Sequence, residues 1–376
     1  MRIIVKVTFL AISVFAIIGT IVASQTSLFF SIILDDGYNG KVESNIFMRM
    51  VAAENHYFSQ NLEADGENLL SNVIKVATNI NIKDVRSLIY DEIPGLYSMT
   101  SEIIVAGEGA DFTNLPIESS PPLEELLKDR EVNEDSLGEI KDRSPNPPVE
   151  RPEKNTVFIY HSHNRESFNP HLKDSGQTSN VQHKEVNVTM VGERLGNKLL
   201  EHGIGTVVDK TDIATILNKR GWKFGKSYEA SREVVVEALA ENDDYVYLLD
   251  IHRDSAPRKS TTTTINGETY ARLYFVIGAS HPNYKENEKF ANELHQKLEE
   301  KYPGLSKGVY KKSKAGGNNG IYNQDLSPNS VVIEIGGVDN TLDELYNTAD
   351  VLAEVFAEYY WQNSDALEVS GTGEIE

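Results

Sequence analysis

From Thr156 to Trp361 short apolar runs alternate with longer helical stretches, and this alternation restricts the fold more than any other feature of the chain. The runs Val157-Phe158-Ile159-Tyr160, Thr206-Val207-Val208, Tyr245 to Ile251, Leu273 to Gly278 and Val331 to Ile335 read as strands. Between them Val186 to His202, Tyr228 to Glu241, Glu286 to Lys301 and Thr341 to Trp361 read as helices. The expected fold class is therefore α/β, a three-layer α/β/α domain around a mostly parallel sheet. In open sheets of this kind ligands bind beyond the carboxyl ends of the strands. Those ends are where chemistry is to be sought.

Three of the strands carry histidine or glutamate to that edge. The first ends in His161-Ser-His163-Asn-Arg-Glu166, and the strand from Tyr245 ends in His252-Arg-Asp254. The strand Val331 to Ile335 contains Glu334, just before Gly336-Gly337. A histidine and a glutamate three apart in a turn can face one metal ion. A distant histidine completes a two-His, one-Glu set that leaves the fourth zinc position to water. His163, Glu166 and His252 are the expected ligands, and Glu334 is the expected general base. A single His-x-His is commonplace, but a lone carboxylate inside an apolar strand is costly without a partner, and the two features converge on one edge. His161 lies one residue out of phase with His163 on an extended chain and so points away, where it could still hydrogen-bond a ligand.

Composition narrows the chemistry. The chain has no cysteine, which excludes thiol catalysis, disulfides and thiolate metal sites, so any metal is held by histidine and carboxylates. A net charge of −21, with no compensating basic cluster, argues against nucleic-acid partners. With 376 residues, 40% of them hydrophobic, the chain has material for two domains and linkers.

The N-terminus carries Arg2 and Lys6 before an apolar stretch from Val7 to Ala23, with Asp35-Asp36 beyond it. Its length and flanking charge predict a single transmembrane anchor over residues 1–34, with everything after it outside the cytoplasm. A cleaved signal peptide is the alternative. A smaller mixed domain is expected over 35–115. Residues 116–155 hold seven of the chain's thirteen prolines and are rich in acid, so they read as an extended linker. The catalytic domain spans 156–363, and the acidic tail 364–376 reads as disordered.

The residues so far also carry a resemblance. The order His163, Glu166, His252, Glu334 is similar to that of the zinc carboxypeptidases. The local strings point elsewhere: Tyr160-His-Ser-His-Asn-Arg-Glu-Ser167, Val186-Asn-Val-Thr-Met-Val-Gly-Glu-Arg-Leu195, Leu249-Asp-Ile-His-Arg-Asp-Ser255 and Val332-Ile-Glu-Ile-Gly-Gly-Val-Asp-Asn340. These resemble the stage II sporulation protein P family, which belongs among the N-acetylmuramoyl-L-alanine amidases of the third type. The resemblance runs from about Thr156 to Trp361 and more loosely over the preceding segments. It implies a zinc hydrolase that removes stem peptides from peptidoglycan glycan strands and also cuts between stem peptides. It further implies a single-pass membrane protein acting in the intermembrane space during engulfment, beside the stage II sporulation proteins D and M. A zinc peptidase confined to cross-links and a non-catalytic wall-binding scaffold are the rival readings.

The resemblance reopens one ligand. In third-type amidases the glutamate ligand lies just before the helix with the Val-Asn pair, which here falls on His183-Lys184-Glu185. His183 is thus the alternative to Glu166. Arg253 is expected either to bind the acidic stem peptide or to form a surface ion pair with Asp254. Lys311 to Asn319 reads either as a basic rim for a polyanionic polymer or as a plain loop. His56, His171, His202, His281 and His295 lack partners at ligand spacing and are expected to be solvated or to cap helices.

Overall fold

The computed structural model describes residues 101–110, 121–128, 130–137, 152–173, 176, 178–314 and 318–371, with side chains to 363. The anchor (1–34), the N-terminal domain up to 100, His56 and the end of the tail (372–376) lie outside the described residues. Among those described, no helix is long and apolar enough to cross a membrane.

A seven-stranded sheet forms the centre. Its strands are β1 (Ser101–Ala106), β2 (Asn155–Tyr160), β3 (Gly205–Val208), β4 (Tyr247–Asp254), β7 (Leu273–Gly278), β8 (Ser306–Lys312) and β9 (Asn329–Gly337). A separate hairpin joins β5 (Thr262–Ile265) to β6 (Glu268–Ala271). The spatial order is β1-β8-β7-β9-β4-β2-β3. The β3, β2, β4 and β9 pairings are parallel, as is β7 with β8. Only β7 against β9 and β1 against β8 are antiparallel. The sheet is therefore mostly parallel, as the alternation predicts.

Residues alternate between the two faces of a strand, and the core follows that period. Val157, Ile159, Leu249, Ile251, Val331, Ile333, Phe275 and Ile277 enter one large apolar cluster. It also contains buried residues of α1 (Thr189–Glu201), α4 (Tyr284–Lys301) and α5 (Leu342–Gly371). On the opposite face Phe158, Tyr160 and Leu248 meet Val235 of α3 (Ser227–Glu241). Just before it, α2 (Ile213–Arg220) is capped by the Asp212 side chain, which accepts from Thr215 N. Helix α5 runs to Gly371, past the point where the sequence places the start of the tail.

Two segments assigned elsewhere by composition belong to this domain. Strand β1, expected within the N-terminal domain, pairs with β8 from Ser101↔Lys312 to Ala106↔Gly308. The stretch read as linker is partly packed down. Leu126 is buried among Ile213, Ala214, Leu217, Phe224 and Ala230, and Leu137 enters the main core. Backbone bonds from Asn133 N to His171 O and from Lys173 N to Glu131 O hold the segment between them. The prolines and acids that suggested extension surround a few apolar residues that find a complementary surface.

Candidate metal centre

Parallel strands β2 and β4 end side by side, and each ending is shaped by one carboxylate. Asp250, fully buried on β4, accepts the Ser162 backbone N–H at 2.9 Å and the Ser162 hydroxyl at 2.6 Å. This draws the turn after Tyr160 against β4, and a bond from Glu166 N to His163 O closes that turn. Glu166 is then fixed by a bridge to Gln182 and by Val188 N, which donates to its carbonyl. On β4, His252 lies two residues beyond Asp250 and so shares its face.

These local constraints bring His163, Glu166 and His252 together. Their ligand atoms all lie within 4.8 Å of one another, so the group can hold a metal ion. His163 Nδ1 is 3.6 Å from Glu166 Oε1, and His252 Nδ1 is 3.6 Å from Glu166 Oε2. All three side chains are buried. The Phe224 and Tyr228 rings pack against His163 with centroids 4.3 and 5.2 Å away. Glu334 stands directly across from His252 in the β4–β9 register.

The charges respond to this crowding. Burial alone would raise the Glu166 carboxyl, but His163, Arg253 and His252 hold it well below the usual carboxylate range. Burial raises Glu334 far above that range, and Glu166 and Asp254 add to the effect while His252 opposes it. Burial would lower His252, yet Asp250, Glu166 and Glu334 together raise it above its ordinary value. One carboxyl held low, one held high and an imidazole held high thus share a single buried cluster.

The other candidates fall elsewhere. His161 turns to the α1 side. Its Nδ1 lies 3.0 Å from Asp209 O, and a Cβ on Gly192 would come within 2.2 Å of its Nε2. Burial lowers its pKa to about 4. His183 is committed to backbone: Nδ1 accepts from Glu185 N and Val186 N at 3.1 and 2.8 Å, and Nε2 faces Arg130 O at 3.1 Å. It orders the loop that grips Glu166. Arg253 requires a correction. It is neither a substrate contact nor a surface ion pair, because its guanidinium is buried and donates to the carbonyls of Ser167, Val181 and Asp254. Of the proposed basic rim, Lys311 and Lys312 belong to β8, Lys311 pairs with Glu102, and 315–317 lie outside the described residues. His171 lies 2.9 Å from the Ser136 hydroxyl and accepts from Leu342 N at the start of α5, and His295 meets Ser306 Oγ.

Sequence reasoning passed over Asp250, Ser162, Phe224 and Tyr228. Only Asp250 carried a usable signal, its position two residues before a ligand on the same strand.

Comparison with known proteins agrees with the local strings. The model of the family "Stage II sporulation protein P (SpoIIP)" matches residues 83–357, which takes in β1 and the packed segment before β2. Stage II sporulation protein P of Bacillus subtilis (strain 168) is 43% identical over 342 residues, covering 89% of this chain and 85% of that protein. The chain belongs to the stage II sporulation protein P family.

Proposed function

We propose that this protein is a zinc-dependent peptidoglycan hydrolase that cleaves the amide between N-acetylmuramic acid and L-alanine, and also stem-peptide cross-links, during sporulation engulfment. The observation that carries the reading is the buried His163–Glu166–His252 group with Glu334 beside it. Zinc bonds to nitrogen and oxygen at roughly 2.0–2.2 Å, which puts tetrahedral donors about 3.3 Å apart. The two separations from Glu166, 3.6 Å each, are close to that spacing, and all the donor atoms lie within 4.8 Å of one another. When bound, zinc polarises the scissile carbonyl and acidifies its water.

The chain's own residues supply the rest. His163, Glu166 and His252 hold the ion, and the Arg253 backbone N–H, 3.1 Å from Glu166 Oε2, fixes the carboxylate. Glu334, pushed up by burial and by Glu166, would ionise beside a bound cation and could then take the water's proton and return it to the departing amine. Its Oε2 is buried with no hydrogen-bond partner among the described residues, so it is available for that exchange. Membrane anchoring through 1–34, action outside the cytoplasm and association with the stage II sporulation proteins D and M are part of the same proposal and rest on the sequence resemblance.

Digestion of purified cell wall tests the reading. Chelated protein should release no amino termini, and Zn2+ should restore release. Glu334→Gln should keep its metal and lose turnover by about 100-fold or more. Glycan products that retain L-alanine would exclude the amidase and leave a cross-link peptidase. Full activity in metal-free protein would refute the mechanism.

A further inference from the structure

One buried carboxylate beside the metal centre takes no part in the chemistry just described. Asp250 has no exposed surface and sits on the interior strand β4. Its Oδ1 lies 3.0 Å from His252 Nε2, the ring nitrogen opposite the one that faces Glu166, a charge contact that lacks hydrogen-bond alignment. The same oxygen accepts the Ser162 N–H, and Oδ2 accepts the Ser162 hydroxyl. Ser162 immediately precedes His163. One side chain therefore touches both histidine-bearing strand ends.

The contacts continue outward from Ser162. Asn323 Nδ2 donates to Ser231 Oγ at 3.0 Å, and Ser231 Oγ lies 2.8 Å from Ser162 Oγ. The Ser162 hydroxyl proton goes to Asp250, so Ser162 Oγ can accept from Ser231, whose hydroxyl also lies 3.3 Å from Tyr228 O. The outer end is held by backbone that few residues adopt, since Tyr322 and Asn323 have φ of 56° and 57°. Such strain persists where the surrounding structure over-determines it.

We propose that Asp250 is the positioning residue of the centre. It holds the proton of His252 on Nε2, so that the Nδ1 lone pair faces the ion, and through Ser162 it sets the place of His163. A carboxylate behind a ligating imidazole fixes its tautomer and raises its basicity, and losing such a partner typically costs 10–100-fold in metal affinity. Here one carboxylate serves both ligands, so its removal disturbs two of the three donors. This role presupposes the metal centre proposed above.

Two measurements on the full chain test it. Zn2+ affinity is read by competition with a chromophoric chelator, and Co2+ binding is read by its visible ligand-field spectrum, which responds to donor geometry. Asp250→Asn keeps the size and one acceptor but turns a donor toward the Ser162 hydroxyl. It should lose about 10–100-fold in Zn2+ affinity and change the shape of the Co2+ spectrum. Ser162→Ala keeps Oδ1 beside His252 and should lose less affinity while still altering the spectrum. The metal-free variants should keep the near-ultraviolet circular dichroism of the wild type, which separates positioning from a purely structural role. Zn2+ affinity within about two-fold of wild type and an unchanged Co2+ spectrum in Asp250→Asn and Asp250→Ala would overturn the assignment. Should neither Asp250 variant fold, Ser162→Ala decides alone, and unchanged affinity and spectrum there overturn it too. Failure of the wild-type chain to bind either ion refutes the metal centre itself. Normal wild-type binding with unaffected variants refutes only the role of Asp250.

Discussion

Truncating Leu126 to alanine tests where the folded domain begins. Read by composition, Leu126 lies in an acidic, proline-rich linker, and an exposed leucine there would change stability by no more than about 0.5 kcal/mol. The structure places it at 3% exposure, against Ile213, Ala214 and Leu217 of α2 and against Phe224 and Ala230. Leu→Ala at a site so enclosed costs about 2–5 kcal/mol, from lost burial and the cavity left behind. In a domain of this size each kcal/mol lowers the thermal midpoint by roughly 2–4 °C, so the expected fall is roughly 4–20 °C. Leu137→Ala, at 5% exposure in the main core, should fall within the same range. The assay is thermal unfolding of the full chain followed by near-ultraviolet circular dichroism, which reports tertiary packing. If both variants melt within about 1 °C of wild type, the segment is a linker after all and the packed boundary is refuted.

The two candidates for the third ligand separate on two axes. Glu166→Ala should lose the metal, whereas His183→Ala should keep it. His183→Ala should instead lose about 1–3 kcal/mol of stability, because Glu185 N and Val186 N lose their acceptor. Zinc stoichiometry and melting on the same samples decide, and the reverse pattern would move the ligand to His183. A further test uses Asp212. Burial would raise its carboxyl, but hydrogen bonds from Arg165 and Thr215 hold it down, from an ordinary 3.8 to about 2. A carboxyl depressed by folding stabilises fully above its unfolded value and loses that contribution as pH falls through its folded one. Asp212→Asn should therefore flatten the decline in stability between about pH 4 and pH 2. An identical acid profile in the variant would refute the Arg165–Asp212 tie.

The central strands were legible because they are buried on both sides and read as unbroken apolar runs. The clustering of His163, Glu166 and His252 was legible for a related reason, since polar residues at the ends of such runs stand out. Strand β8 was not, because Ser306-Lys-Gly-Val-Tyr-Lys-Lys312 looks like a basic surface loop. Its lysines are accommodated by distant residues: Lys307 lies 4.3 Å over the Tyr274 ring and Lys311 pairs with Glu102. No local pattern reports partners that far away. The hairpin at 262–271 did carry a signal, Asn266-Gly267 with φ of 52° and 86°, the backbone such tight turns require. Its flanks, Thr262 to Ile265 and Glu268 to Ala271, lack the apolar alternation that draws attention to a hairpin. The alternative at His183 could not be weighed from sequence for another reason: its ring is turned toward backbone groups whose position only the folded loop reveals.

The placement of the chemistry follows from one odd–even rule. On β4 the odd residues Tyr247, Leu249 and Ile251 enter the helix-covered core, while Leu248, Asp250 and His252 occupy the other face. On β9 Val331, Ile333 and Ile335 enter the same core, leaving Val332 and Glu334 opposite. Parallel pairing matches His252 with Glu334. A slip of β9 by one residue would turn Glu334 into the apolar cluster and move three branched side chains to the face of the site, so the apolar pattern that sets the register also sets the site. Arg253 obeys the same rule. It continues the odd series of β4, which directs it away from the metal centre and toward the carbonyls of Ser167 and Val181. Its charge helps to hold the Glu166 carboxyl low, and its guanidinium braces the chain at Ser167 and Val181.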